Sequence, residues 1–178
     1  MFSRILKERY AQLELTIIKE EFWSAKPRNE VQLLFDWGLS KSPQEVGYVI
    51  AFDGMRNIRT VVEVARGNAG QLDVHIPTVL RAALLCGADR FTFVHTHPSG
   101  SAVPSPSDTE VTATLSKAAA AVGLTLEDHL IVTPKLSDYF SYSAEGMYRP
   151  PAYTSGFEVS VDDKGKIIGY DPKERKTA

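Results

Sequence analysis

The feature that most constrains the fold is a pair of apolar runs, residues 48–52 (YVIAF) and 58–64 (IRTVVEV), on either side of Asp53-Gly54. An Asp-Gly step between two β-rich runs is a strong hairpin signal. A third run, 91–95 (FTFVH), follows a stretch of helical composition, 78–85, which Pro77 can open and Gly87 can stop. An Ala/Thr-rich helix over about 107–122, stopped by Gly123, leads to a fourth run, 130–133 (LIVT). Strand, strand, helix, strand, helix, strand is the order of a mixed β-sheet flanked by helices, an α/β fold.

The flanks read less sharply. Residues 13–18 have strand composition, and Asn29 can cap a helix reaching Trp37, with Val31, Leu34 and Phe35 on one face and Gly38 as its stop. Short strands are expected at 74–76 and 140–143. After Arg149-Pro150-Pro151 the character changes: residues 157–161, a DDKG turn and 166–170 read as a hairpin, followed by a polar tail. The chain therefore divides into an N-terminal extension (1–42), a central domain (43–149) and a C-terminal hairpin and tail (150–178).

With 43% hydrophobic and 24% charged residues, 178 residues suffice for one packed core. A net charge of −2 and a pI of about 6.1 give no global attraction to nucleic acid or anionic lipid. The C-terminal segment is locally basic through Lys164, Lys166, Lys173, Arg175 and Lys176, but acidic residues interleave with them. Cys86 is the one cysteine, which excludes an intrachain disulfide and the paired-cysteine zinc signature of deaminases. It reads as a small buried hydrophobe. The first residues lack the apolar core of a signal peptide, and no run approaches the roughly 18 apolar residues of a membrane span. A cytoplasmic setting is expected.

The chemistry concentrates at His95-Thr96-His97-Pro98-Ser99-Gly100, followed by Ser105 and Asp108. Histidines one residue apart on a strand project to the same side. A carboxylate arriving from the next helix completes three nitrogen and oxygen ligands suited to zinc, with a fourth position open to water. The Ser105-Pro106-Ser107-Asp108 run is equally a good helix start, and the two roles are compatible. Asp128-His129 leaves two readings open: a turn aspartate with a core histidine, or a partner that orients a ligand histidine. A metal hydrolase also needs a proton acceptor. Glu63 is the candidate, because an acid within a β-branched run is unusual and alternation sets it on a face with Val61 and Ala65.

Glu63, then His95-x-His97-Pro98, then Ser105-x-x-Asp108 resembles the JAMM (MPN+) metalloprotease motif. The HTHPSG run, Pro104-Ser105, GLTLEDHLIV at 123–132, and Phe52-Asp53 with Asn57 narrow the likeness to the RadC-like branch, over about residues 43–148. The resemblance implies a cytidine-deaminase-like JAB/MPN α/β sandwich with Zn2+ held by His95, His97 and Asp108. It implies Glu63 as general base and then acid, and Ser105 as hydrogen-bond donor to the oxyanion. The implied activity is zinc-dependent hydrolysis of amide or isopeptide bonds in a peptide or protein conjugate. Thr96 stands where many RadC-like sequences have Asn, and its side chain is expected to point away from the metal. Segments around the motif are too short for the insertions with which larger members grip ubiquitin. The branch's name carries an association with DNA repair. A DNA-binding protein or metal-dependent nuclease of repair or mobile elements is therefore the alternative expectation, and a metal-stabilised interaction module a third.

Overall fold

A computed structural model describes residues 30–150 in full, together with the backbone of strands at 16–19, 157–161 and 167–172. Its main sheet has six strands: β1 (Thr16–Lys19), β2 (Val46–Phe52), β3 (Ile58–Arg66), β4 (Arg90–Thr96), β5 (Thr125–Val132) and β6 (Tyr139–Ser141), in the order β1-β3-β2-β4-β5-β6. Among the described residues three α-helices accompany it: α1 (Glu30–Asp36), α2 (Ile76–Leu85) and α3 (Pro106–Ala121). The expected α/β architecture, a mixed sheet flanked by helices, is present.

The hairpin β2–β3 forms as the Asp53-Gly54 signal indicates. Asp53 closes it by accepting from the backbone N–H groups of Met55 and Asn57, both at 2.9 Å. β4 pairs antiparallel with β2 and parallel with β5. A parallel partner needs a long crossover, and α3 supplies it. β2 is buried along its whole length, as a strand covered on both faces must be.

Two apolar layers lie on the two faces of the sheet. Val49, Ala51, Val62, Phe91, Phe93 and Ile131 pack beneath α2 and α3 with Val79, Ala82, Leu115 and Ala119. Val46, Tyr48, Ile50, Val61, Val94 and Leu130 pack beneath α1 with Leu34. Strand alternation assigns each residue to one of these layers.

Local differences from expectation have local causes. Residues 74–76 form no strand; His75 is instead the residue preceding α2, with Pro77 in the first turn. Pro lacks the N–H a ladder needs but suits a helix start, so Pro77 decides the contest. Gly87, at φ +62°, ends α2 in the left-handed conformation that favours glycine. β2 begins at Val46, earlier than the apolar run at 48 indicates. The C-terminal hairpin is present as β7 (Phe157–Val161) and β8 (Ile167–Pro172), paired antiparallel with each other. The expected cap Asn29 lies outside the described residues, and α1 runs from Glu30. Among the described residues no helix is long and apolar enough to cross a membrane.

Candidate metal centre

β4 carries His95 near its C-terminal end and hands the chain to His97 in the following loop. His95 lies in the layer beneath α2 and α3, with Phe93 two residues before it, and is 2% exposed. Its partner across the β2–β4 ladder is Gly47. A Cβ at Gly47 would sit 3.3 Å from Ala65, Leu72 and Phe93, so the absent side chain keeps this part of the layer uncrowded.

Asp108 reaches the histidines from the first turn of α3. Ser105 caps that helix in a reciprocal box: its hydroxyl accepts from the Asp108 N–H at 3.2 Å, and Asp108 Oδ2 accepts from the Ser105 N–H at 2.7 Å. The Ser105 hydroxyl also donates to Oδ2 at 2.7 Å. The two carboxylate oxygens thus have separate jobs. Oδ2 is held by Ser105, while Oδ1 stands 3.1 Å from His95 Nε2. Burial works against ionisation of Asp108, while the two hydrogen bonds from Ser105 favour the carboxylate form.

One ligand atom from each of His95, His97 and Asp108 lies within 4.8 Å of the others. His95 Nε2 and His97 Nε2 are 2.9 Å apart. His97 Nδ1 meets the Ser101 carbonyl at 2.8 Å, and a carbonyl can only accept. Neutral His97 therefore carries its proton on Nδ1 and turns an Nε2 lone pair inward. Lone pairs and a carboxylate oxygen converging this closely repel one another unless a cation stands among them. The donor set, two imidazoles and one carboxylate, fits a divalent ion of the zinc class.

Thr96, between the histidines, points away from the cluster. Its hydroxyl accepts from the Val46 N–H at 2.9 Å and donates to the Gln44 carbonyl at 3.1 Å.

Glu63 is not brought to this cluster. β3 pairs it with Tyr48 in the layer beneath α1, on the opposite face of the sheet from His95. Arg66 holds its carboxylate with two 2.7 Å bonds, Nε to Oε1 and Nη2 to Oε2. Burial and the Glu63 charge push the Tyr48 hydroxyl up to about 12. A register shift after Gly47 leaves Val64 as an extra residue, so Ala65 faces Gly47 while Glu63 faces Tyr48. Alternation does keep Glu63 with Val61, but it fails at Ala65.

The same ladder points to a different carboxylate. Gly47 opposes His95, and continuing that antiparallel register by two residues would set Glu45 opposite His97, on the histidine face. Glu45 is half-buried. Both its backbone groups are bonded to the segment just after β3: its N–H donates to the Asn68 carbonyl at 2.7 Å, and its carbonyl accepts from the Gly67 N–H at 2.9 Å. Sequence reading missed Glu45 because it precedes the apolar run. The available signal was the two-residue step from Glu45 to Gly47, which becomes informative only once the register is known.

Fold and site together define a class, a mixed α/β domain presenting three convergent protein ligands, compatible with a metal-dependent hydrolase. The family model described as RadC-like JAB domain matches residues 25–147, and the chain belongs to that family. Among curated relatives, a UPF0758 protein of Ruegeria pomeroyi is 42% identical over 84 residues, covering 47% of this chain and 37% of that protein. One of Finegoldia magna is 37% identical over 86 residues, covering 48% and 39%. One of Trichlorobacter lovleyi is 32% identical over 113 residues, covering 64% and 48%. The chain thus spans half or less of the length of these relatives.

Proposed function

We propose that the protein is a zinc-dependent hydrolase of amide or isopeptide bonds, acting on a peptide or protein conjugate. The observation that carries the reading is the convergence of His95 Nε2, His97 Nε2 and Asp108 Oδ1, with the His97 proton committed elsewhere. These three residues would hold the ion. When bound, a divalent ion there lowers the pKa of water toward about 7 and polarises a carbonyl oxygen.

The remaining work falls to the protein. Glu45, on the histidine face and pinned by its backbone, takes the proton of the attacking water and delivers it to the leaving nitrogen. Glu45 is favoured over Glu63 because Glu63 lies on the other face of the sheet and is paired with Arg66. Ser105 keeps Asp108 aimed, and its hydroxyl is the nearby donor for a developing oxyanion, exchanging its bond to Asp108 Oδ2 for one to substrate.

The test combines metal analysis with turnover of a panel of amide-linked conjugates. About one zinc per chain is expected, lost in His95→Ala and Asp108→Ala. Glu45→Gln is expected to retain zinc and lose turnover by about 100-fold or more, whereas Glu63→Gln retains both. A wild-type protein that takes up no zinc at neutral pH, or a Glu45→Gln variant with undiminished turnover, would overturn the reading.

A further inference from the structure

Behind His95 lies a chain of hydrogen bonds that returns to Asp108. His95 Nδ1 meets His129 Nε2 at 2.8 Å. His129 Nδ1 meets the Thr112 hydroxyl at 2.6 Å. The Thr112 hydroxyl donates to the Asp108 carbonyl, four residues back along α3, at 2.7 Å. All of this is sealed: His129 is 0% exposed and stacks on Tyr142 with ring planes 7° apart and centroids 4.9 Å apart.

The chain has a direction. Thr112 has one proton and the Asp108 carbonyl can only accept it, so the Thr112 oxygen must accept from His129 Nδ1–H. His129 is fully buried between neutral rings, where an uncompensated charge is costly, and a neutral ring that donates from Nδ1 has a lone pair at Nε2. That lone pair requires a proton on His95 Nδ1, which leaves the His95 Nε2 lone pair facing Asp108 Oδ1. In the reverse direction the proton would sit on His95 Nε2 and block it.

We propose that His129 and Thr112 are positioning residues that fix His95 in the Nδ1–H tautomer, so that Asp108 uses its backbone carbonyl to set the ligand nitrogen that its own carboxylate faces. The inference rests on the metal reading above. It adds that the helix carrying one ligand dictates the protonation of another through two side chains that touch no metal.

The test uses the full chain. Long-range 1H–15N correlation on metal-free wild type should show His95 and His129 both protonated on Nδ1. In His129→Phe, which keeps a ring against Tyr142 and removes both nitrogens, His95 should become a tautomer mixture. Zinc affinity, read by competition with a chromophoric chelator, should fall by about 10- to 100-fold. His129→Gln offers an amide oxygen to His95 and an amide N–H to Thr112, and should keep affinity within about threefold of wild type while His95 stays on Nδ1. A His95 Nε2–H signal in wild type would overturn the proposal, as would wild-type zinc affinity in a folded His129→Phe variant. If His129→Phe does not fold, the wild-type tautomer and the glutamine variant still decide. A wild-type protein that binds no zinc would refute the metal reading alone, because the tautomer is measured without metal.

Discussion

Replacing Thr96 by valine removes one hydroxyl and preserves shape, so its cost can be worked from two hydrogen bonds. The Val46 N–H, in a strand with no exposed residue, loses its acceptor and cannot reach water. An orphaned buried donor costs about 1–3 kcal/mol. The Gln44 carbonyl also loses a donor, but Gln44 is exposed and water recovers most of that loss. Thr96→Val should therefore lower unfolding stability by about 2 kcal/mol, and Thr96→Ser should recover most of it. Because Gln44 and Val46 flank Glu45, the valine variant should also loosen the backbone that presents that carboxylate. Urea unfolding of the three proteins, followed by circular dichroism with a common m-value, measures the first effect. A loss below about 0.5 kcal/mol in the valine variant, or an equal loss in the serine variant, would refute the bridging argument.

Glu30 supplies a pH test. Burial, then the charge of Asp128, raises its carboxyl from 4.5 to about 7, against the opposing pull of Arg56 and the Thr92 hydroxyl. Between those values the unfolded chain has released a proton that the folded one retains, so stability falls as pH rises from 4.5 to about 7 and is level above that. At about 1.4 kcal/mol per pH unit the fall attributable to Glu30 is up to about 3 kcal/mol, and Glu30→Gln should abolish it in unfolding titrations at pH 5 and pH 8. A variant whose pH dependence parallels wild type would show that the shift is absent. Zinc at 100 times its Kd should stabilise wild type by about 2.7 kcal/mol and be reversed by chelator, with no effect on His95→Ala. Calorimetry reads both arms.

Most of the sheet is legible from local chemistry, because β2, β3 and β4 are apolar runs bounded by Asp-Gly, Gly and Pro. The spacing of His95, His97 and Asp108 is equally local: one strand end, one loop and one helix start bring them together. Glu63 and Glu45 show where this legibility stops. Which carboxylate shares a face with His95 depends on how β2 pairs with its neighbours, and an extra residue at Val64 separates Ala65 from the face that Glu63 shares with Val61. Neither is written in the residues around the carboxylates themselves. His129 is intermediate. Its position beside Asp128 is visible in sequence, and the two roles divide cleanly: Asp128 accepts from the Ser143 N–H at 2.9 Å and holds the turn, while His129 reaches His95.

The order of strands in the sheet has a consequence for how the molecule comes into being. β2 and β3 are joined by a tight turn and can pair as soon as both exist. The bond from Val46 to Thr96 spans 50 positions, and that from His95 to His129 spans 34. Such closures cost chain entropy before any contact repays it, so they form late. During synthesis, the support for the histidines is incomplete until β5 has left the ribosome and zipped onto β4. On the metal reading proposed above, tight zinc retention by a nascent or truncated chain would be a direct readout of long-range closure.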